Sequence, residues 1–297
     1  MSTSRINQKG FQCPCCLSLQ QEGLDVWHHV CKVCGYESAQ FRNAINMEHT
    51  ALSETHREEG LRTLRESNFR ELLAKMRPHL SGRHQTLLEV GCGHGWFLRI
   101  AGERFAALGI EPDHQIFLAA RARGVDVIEG YFPDALNQSD RFDIIVFNDV
   151  FEHIPDPATA LNACLGALNE GGMLVLNLPT SEGLFYRMAR VARRVGLGGA
   201  FARMWQKDFP SPHLHYFSRR NLELLLQRHG FRVVSTGTLP SIRLSGLYSR
   251  IAYADPSRWL HHAMVWLALV LFYPVVKSLP SDVMVVMAMP DGMAPRT

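Results

Sequence analysis

The 297-residue chain lacks any strong excess of charge: Lys plus Arg number 31 against 28 for Asp plus Glu, a formal net charge of +3. A surplus this small does not by itself mark a nucleic-acid binder. Long apolar runs are also missing. The longest, Ala263–Val276, has 14 residues and contains Pro274, short of the roughly 20 that a membrane-spanning helix needs, so no span is expected. The start, MSTSRINQKGFQ, has no apolar stretch of a signal peptide, which predicts a cytoplasmic chain with reduced thiols. Internal repeats and low-complexity tracts are absent. With 46% hydrophobic and 20% charged residues, the composition excludes disordered, collagen-like and coiled-coil classes. At about 150 residues per domain, the length allows one large domain or two unequal ones.

What charge there is lies unevenly. Residues 183–207 hold Arg187, Arg190, Arg193, Arg194, Arg203 and Lys207 and no acid. The cysteines cluster too: of seven, five fall within the first 34 residues. Cys13 and Cys16 form one CxxC pair, and Cys31 and Cys34 repeat it after fourteen residues. Each pair can turn tightly and aim two thiolates at one ion, with Gly35 suited to a positive φ there. Four thiolates close a tetrahedral zinc shell with no vacancy for water, so the site is expected to be structural. A ribbon this small needs such a staple. Cys15 could replace Cys16 as a ligand. The adjacent His28 and His29 read as residues of an exposed strand or turn, and less readily as alternative ligands.

The pattern divides the chain into a zinc ribbon over 1–45, linking helices over 46–82 and a main domain over 83–297. In the linker, Leu61, Leu64, Phe69, Leu72, Leu73 and Met76 fall at helical spacings, with an end near Pro78 and Gly82. The main domain alternates short apolar strands (TLLEV, AALGIEP, VDVIEG, FDIIVFNDV, MLVLNLP) with helices (WFLRIAGERF, HQIFLAARARG, PATALNACLGALNEGG). That alternation predicts an α/β fold with a parallel sheet covered on both faces. An insert over 181–212 interrupts it. The helix NLELLLQRHG and the strand FRVVS follow, then an apolar helical insert over 236–281 and a last strand, SDVMVVMAMP.

Between the first strand and its helix stands GCGHG. Small residues there let the backbone approach a ligand, and a helix N-terminus favours negative charge. A dinucleotide fingerprint requires GxGxxG/A, but Gly91, Gly93 and Gly95 are spaced GxGxG. Glu89, just before the loop, suits a cationic amino group better than a pyrophosphate. Glu111 ends the second strand and can accept hydrogen bonds from two ribose hydroxyls.

LLEVGCGHG, GIEPD, FDIIVFNDVFEHIPDP, LNEGGMLVLNLP and HLHYFSRRNLELLLQRHGF together resemble, in order, the class I S-adenosylmethionine-dependent methyltransferases. The likeness covers residues 83–235. It implies a Rossmann-like seven-stranded sheet with the last strand antiparallel. It also implies that Gly91, Gly93 and Gly95 pass beneath the methionine part of S-adenosylmethionine, that Glu89 orients loop and ammonium, and that Glu111 holds the ribose. Asn148 and Asp149 would lie near the sulfonium, with Tyr131 and Phe132 where the adenine is bound.

Methyl transfer needs an in-line acceptor and a group to take its proton. Two candidates stand out: Glu152 and His153 of Asp149-x-x-Glu152-His153, and His213 or His215 before the FSRRNLELLL helix. His213 fits the H-x-x-x-F-S pattern of the resemblance. An acid-x-x-Glu-His cluster plus a later histidine is similar to the divalent-metal site of ubiquinone-biosynthesis-type O-methyltransferases and of an RNA 2′-O-methyltransferase family; a metal would lower an acceptor's pKa. Glu152 and His153 could equally serve the following turn as structural residues. No Pro-Pro-aromatic turn follows the fourth strand and no cysteine stands there, which disfavours base-amine and cytosine C5 acceptors. Cys164 reads as a buried helix thiol.

Arg187, Arg190 and Arg194 share one helical face that could meet phosphate on a nucleotide-sugar, a lipid-linked sugar or a membrane surface. The helix over 259–276 could pack on the sheet, form a homodimer or lie in a membrane interface. The expected activity is therefore O-methylation of a small or lipid-linked glycan or related metabolite, with peripheral attachment at the inner membrane surface as an option. A sugar C-methyltransferase, a ribosomal RNA methyltransferase gripping RNA with the ribbon, and a non-enzymatic scaffold are the alternatives. With only Arg5, Lys9, Lys32 and Arg42 as cations in the ribbon and few aromatics, nucleic acid is the disfavoured partner.

Overall fold

The computed structural model describes residues 11–45, 54–82, 84–252 and 258–292. The polar start with Arg5 and Lys9, and residues 46–53 of the expected linker, lie outside the described residues. The ribbon comprises β1 (Gln20–Glu22), β2 (His28–Cys31) and β3 (Glu37–Ala39), paired antiparallel in sequence order. One long helix, α1 (Glu54–Met76), and a short 3-10 turn, Arg77–His79, fill the linker and stop at Leu80. Phe69, Leu72 and Met76 of α1 are buried against the main domain.

The main domain then runs β4 (Thr86–Val90), α2 (Trp96–Ala101), β5 (Ala106–Glu111), α3 (His114–Ala122), β6 (Val127–Glu129), β7 (Phe142–Asn148), α4 (Pro157–Ala167) and β8 (Leu168–Pro179). It continues with α5 (Leu184–Arg194), α6 (Gly199–Met204), β9 (His215–Tyr216), α7 (Arg219–Arg228), β10 (Phe231–Leu239), α8 (Leu247–Ala252), α9 (Trp259–Ser278) and β11 (Val283–Pro290). Seven strands form one sheet in the order β10-β11-β8-β7-β4-β5-β6. The five strands of the alternating half are parallel, and β11 runs antiparallel to both neighbours, as expected.

Leu87, Leu88, Ile144, Ile145, Val146, Phe147, Leu174 and Val175 are fully buried. A parallel sheet covered on both faces buries every position, so its strands read as apolar runs without alternation. Each such side chain contributes roughly 1.5–3 kcal/mol of burial. Side-chain caps set where the helices begin. Asp113 accepts from the amides of Gln115 and Ile116 at α3, Asp156 does the same for Ala158 and Thr159 ahead of Pro157 at α4, and Ser218 with Asn221 forms a capping box at α7.

Three boundaries differ from the sequence reading. β8 starts at Leu168, before the glycine pair, because Leu168 already pairs with Phe142 and the extra residues bulge before Met173 meets Ile144. β10 continues to Leu239, since its ladder with β11 persists to Val283, so the apolar insert begins at 240 and not 236. Most consequentially, the ribbon is no separate sheet: β9 from the main domain adds to it, with Ser38 opposite His215 and Glu37 opposite Tyr216. A correction also applies to the apolar insert. α9 has 20 residues, long and apolar enough to cross a membrane by length and composition, because Trp259–His262 extend the run and Pro274 is tolerated within the helix.

Candidate functional site

The loop after β4 turns at glycines with left-handed backbone. Gly91 and Gly95 have φ of 66° and 73°, and a Cβ at either would lie 2.6 Å from a methyl of Val150 or Val125. Gly93, also left-handed, has nothing within 4 Å of such a Cβ, which leaves room for a ligand to approach. Glu111 is buried at the end of β5 and accepts from the Gly93 amide (2.8 Å) and the Asp113 amide (2.9 Å), one on each oxygen. Both oxygens keep lone pairs for a diol. Burial pushes its carboxyl up to about 7.

Glu89 lies deeper. Asn177 donates to Asn148 (3.2 Å), and Asn148 donates to one Glu89 oxygen (2.8 Å), while the other Glu89 oxygen has no hydrogen-bond partner. Burial pushes this carboxyl up to about 8. A buried oxygen left unpaired is a place where a cationic ligand group would be welcome.

These elements open on a cavity of about 390 Å³, a normal size for a small-molecule site. Of the expected cofactor residues, Gly91, Glu111, Tyr131, Phe132 and Asp149 line it. Glu89, Gly93, Gly95 and Asn148 do not line it and stand around it. Asn148 in particular is turned inward to Glu89, so its amide holds that carboxylate instead of facing the cavity.

At the far end the chain turns sharply after β7. Asp149 has φ of 53°, a conformation that asparagine and aspartate tolerate best, and its amide donates to Asn177 (2.8 Å). A 3-10 turn, Phe151–His153, follows. Glu152 is fully buried and neither of its oxygens has a hydrogen-bond partner. His153 Nε2 lies 3.8 Å and His213 Nε2 3.9 Å from one of them.

The tautomers follow from the outer partners. His153 Nδ1 donates to the Pro212 carbonyl (2.8 Å). Tyr216 spends its proton on the Met204 carbonyl (2.9 Å), so its oxygen accepts from His213 Nδ1 (3.3 Å). Nδ1 therefore carries a proton in each ring, and the Nε2 of His213 stands 2.8 Å from the Gln206 amide nitrogen. Burial raises the carboxyl pKa of Asp149 and pushes that of Glu152 well above its ordinary value.

Glu152, His153 and His213 offer ligand atoms all within 4.8 Å of one another. Asp149 does not join them. Only His153 of the three lines the cavity, with His213 one layer behind Gln206. His215 faces elsewhere: its Nε2 donates to the Ile154 carbonyl (2.8 Å) and its Nδ1 accepts from the Tyr36 hydroxyl.

The four cysteines expected to bind a metal converge: the sulfurs of Cys13, Cys16, Cys31 and Cys34 all lie within 4.8 Å of one another. Cys13 approaches Cys34 at 3.5 Å and Cys16 approaches Cys31 at 3.4 Å. Cys15 stays out of this set as a buried neighbour. The arrangement fits a single tetrahedral ion.

The ribbon is bolted to the 181–212 insert. Glu37, buried, accepts from Tyr186 (2.8 Å), pairs with Arg190 (3.1 Å) and meets His28 (2.8 Å). Arg193 grips Asp25 with two bonds (2.7 and 3.0 Å). Two expectations are thereby corrected. His28 is wholly buried, because its two nitrogens serve Leu24 and Glu37. Arg190 is not open to an acceptor phosphate, because Glu37 holds it, and only Arg187 and Arg194 of that basic face are exposed.

Sequence reasoning did not single out Arg65, Asn43 or Gln206, all of which line the cavity. Arg65 is the only guanidinium among the described lining residues, and its charge opposes the rise at Glu89, Asp149 and Glu152. Nothing in the helical pattern of α1 separates it from Arg62 or Arg70. Asn43 donates to the His153 carbonyl (3.0 Å), which makes the end of the ribbon a wall of the site.

This fold, with a left-handed glycine loop and an acid closing the second strand over one cavity, is that of the class I methyltransferases. Residues 55–236 match the methyltransferase domain family, and the chain belongs to it. It is 26% identical over 142 residues to trans-aconitate 2-methyltransferase of Rhizobium rhizogenes, covering 43% of this chain and 54% of that protein. It is 31% identical over 96 residues to a ubiquinone biosynthesis O-methyltransferase of Serratia proteamaculans, covering 30% of this chain and 40% of that one. The chain thus spans about half or less of these relatives' lengths. A SAM-dependent methyltransferase from Thermotoga maritima shares the fold with a TM-score of 0.51 at 19% identity, over 80% of this chain and 95% of that one.

Proposed function

We propose that this chain moves a methyl group from S-adenosylmethionine to a hydroxyl oxygen of a small-molecule acceptor. One observation carries the reading: Gly91 and Glu111 at one end and His153 at the other line a single cavity. The cofactor supplies a methyl on a sulfonium that leaves as a neutral thioether. Glu111 binds the ribose through lone pairs its two amide donors leave free. Arg65 is placed to meet the amino-acid carboxylate, and Glu89, through its unpaired oxygen, to favour the ammonium. Phe132 offers an apolar wall to a base.

His153, on the cavity wall with its Nδ1 bonded to the Pro212 carbonyl, takes the acceptor's proton at Nε2. His213, with Glu152 between the two rings, sets the charge of that corner. Since Glu152 is fully buried with neither oxygen hydrogen-bonded, a proton or a cation must balance it. A second reading follows from that observation. Glu152, His153 and His213 would hold a divalent cation, with outer bonds from His153 to Pro212 and His213 to Tyr216 fixing the ring nitrogens as is usual for ligands. Such a cation would lower the pKa of an acceptor hydroxyl.

Cys13, Cys16, Cys31 and Cys34 are read as a structural zinc site. The ribbon supports a small-molecule acceptor more than RNA, because its free edge at β3 is already taken by β9 and its end walls the cavity. The test is to incubate the enzyme and methyl-labelled S-adenosylmethionine with host extract split into lipid, nucleotide-sugar, RNA and protein fractions. Label in the lipid or small-molecule fractions is the expected result. Label confined to RNA or protein overturns the acceptor class, and failure to bind the cofactor in calorimetry overturns the activity.

A further inference from the structure

The insert between β10 and β11 carries an apolar helix that the protein does not cover. Leu260, Met264, Leu267, Leu271, Phe272 and Val275 of α9 are exposed. At about 100° per residue these positions spread over a broad arc, and His262 is the residue of α9 that is buried. On α5 and its C-cap, Arg187, Met188, Val191, Arg194 and Val195 fall at helical spacings on one exposed stripe. The start of α5 is tied to the segment that follows α9. The Leu184 amide donates to the Pro280 carbonyl (3.1 Å), and Asp282 caps α5 by accepting from Phe185 (3.2 Å) and Tyr186 (2.9 Å).

Charge and coverage point to the occupant. α5, α6 and α9 carry no acidic side chain, while Arg187, Arg194, Arg258 and Lys277 are exposed along them. A second copy of the chain, packed on one side of α9, would leave the rest of its arc in water. A lipid layer surrounds a helix sunk into it and supplies anions at its rim. α9 does not cross that layer. Leu239 and Val283, where the insert leaves and returns, are register partners, and α8 packs on both α9 and α1, so both ends belong to one body on one side. Val283 also pairs with Pro179, the C-terminal end of β8. The insert therefore stands on the sheet edge where β4, β5 and β7 open into the cavity.

We infer that α9 and the exposed stripe of α5 dock the protein in the interface of an anionic bilayer, α9 lying in its plane, and bring the cavity to an acceptor carried in that layer. Docking stands on the surface alone, whereas acceptor delivery rests on the methyl-transfer reading above. The experiment is co-sedimentation of the full chain with vesicles of phosphatidylcholine containing one-quarter phosphatidylglycerol, and with pure phosphatidylcholine. The wild type should pellet with the anionic vesicles. L267E/L271E should lower its partition about tenfold or more, and R187E/R194E should weaken it toward the level on neutral vesicles. S-adenosylmethionine affinity in calorimetry should be unchanged in both variants, since none of these residues lines the cavity.

A wild type that stays in solution with both vesicle types overturns docking. So does a dimer in sedimentation velocity that L267E/L271E dissolves without any vesicle binding, since a second copy is then the occupant. A chain that pellets but binds no S-adenosylmethionine keeps the docking and removes the methyl-transfer reading.

Discussion

The Tyr36 hydroxyl donates to Nδ1 of His215, 179 residues further along the chain. His215 is neutral there, because burial lowers it to about 4 and its Nε2 proton is committed to the Ile154 carbonyl. This bond ties the residue after Gly35 of the ribbon to the strand that follows His213. The four convergent cysteines, β3 and the Glu152–His153–His213 corner therefore belong to one mechanical unit. Tyr36→Phe should leave a buried nitrogen unpaired and cost about 1–3 kcal/mol in urea unfolding. An unchanged midpoint would mean that the bond carries no weight.

Purified protein should contain about one zinc per chain, as a closed four-thiolate shell demands. Cys31→Ser should lower that content and reduce methyl transfer as well, because the ribbon's end walls the cavity through Asn43. Full transfer by a zinc-free variant would reduce the ribbon to an appendage.

Glu111→Ala should weaken S-adenosylmethionine binding by at least tenfold or so, since charge-assisted bonds to two hydroxyls are lost. Arg65→Met should also weaken it, by less. Calorimetry separates the two, and unchanged affinity in either variant would misplace that end of the ligand.

Stability without cofactor should fall as pH rises from about 6.5 to about 8. Burial raises the folded-state pKa of Glu111 to about 7 and of Glu89 to about 8, against 4.5 for the ordinary carboxyl. Between those values the folded chain binds more protons than the unfolded one, so this contribution is complete below about 4.5 and is lost as pH climbs through 7 and 8. His215 does not interfere, since its depressed pKa acts only below 6.5. Denaturant midpoints across the window test the sign. A midpoint that rises with pH contradicts it.

His153→Ala should lower turnover by about 10²–10⁴-fold with cofactor affinity nearly intact. His213→Ala should act through the same corner, and because it stands behind Gln206 its effect on the pH profile should be the smaller. If a divalent cation sits on Glu152, exhaustive dialysis against chelator should abolish turnover and a divalent metal should restore it. Undiminished turnover after dialysis would leave proton transfer to His153 alone.

Local signals carried much of this molecule. Apolar runs alternating with amphipathic helices set the parallel sheet, because a strand buried on both faces cannot alternate. Gly91, Gly93 and Gly95 marked a left-handed loop, and two CxxC pairs marked a convergent thiolate set, since each depends on neighbours within a few residues. What the sequence could not order was anything decided by contacts between distant segments. Whether His213 or His153 faces the cavity depends on Gln206 standing in front of His213 and on the Pro212 carbonyl holding His153. The burial of His28 and the capture of Arg190 depend on Glu37 meeting an insert some 150 residues away. The solvent exposure of α9 depends on which surfaces the sheet leaves uncovered. Sequence by itself determined the sheet, the loop and the cysteine cluster; only the tertiary structure decided which polar groups are consumed by one another and which remain to act on a ligand.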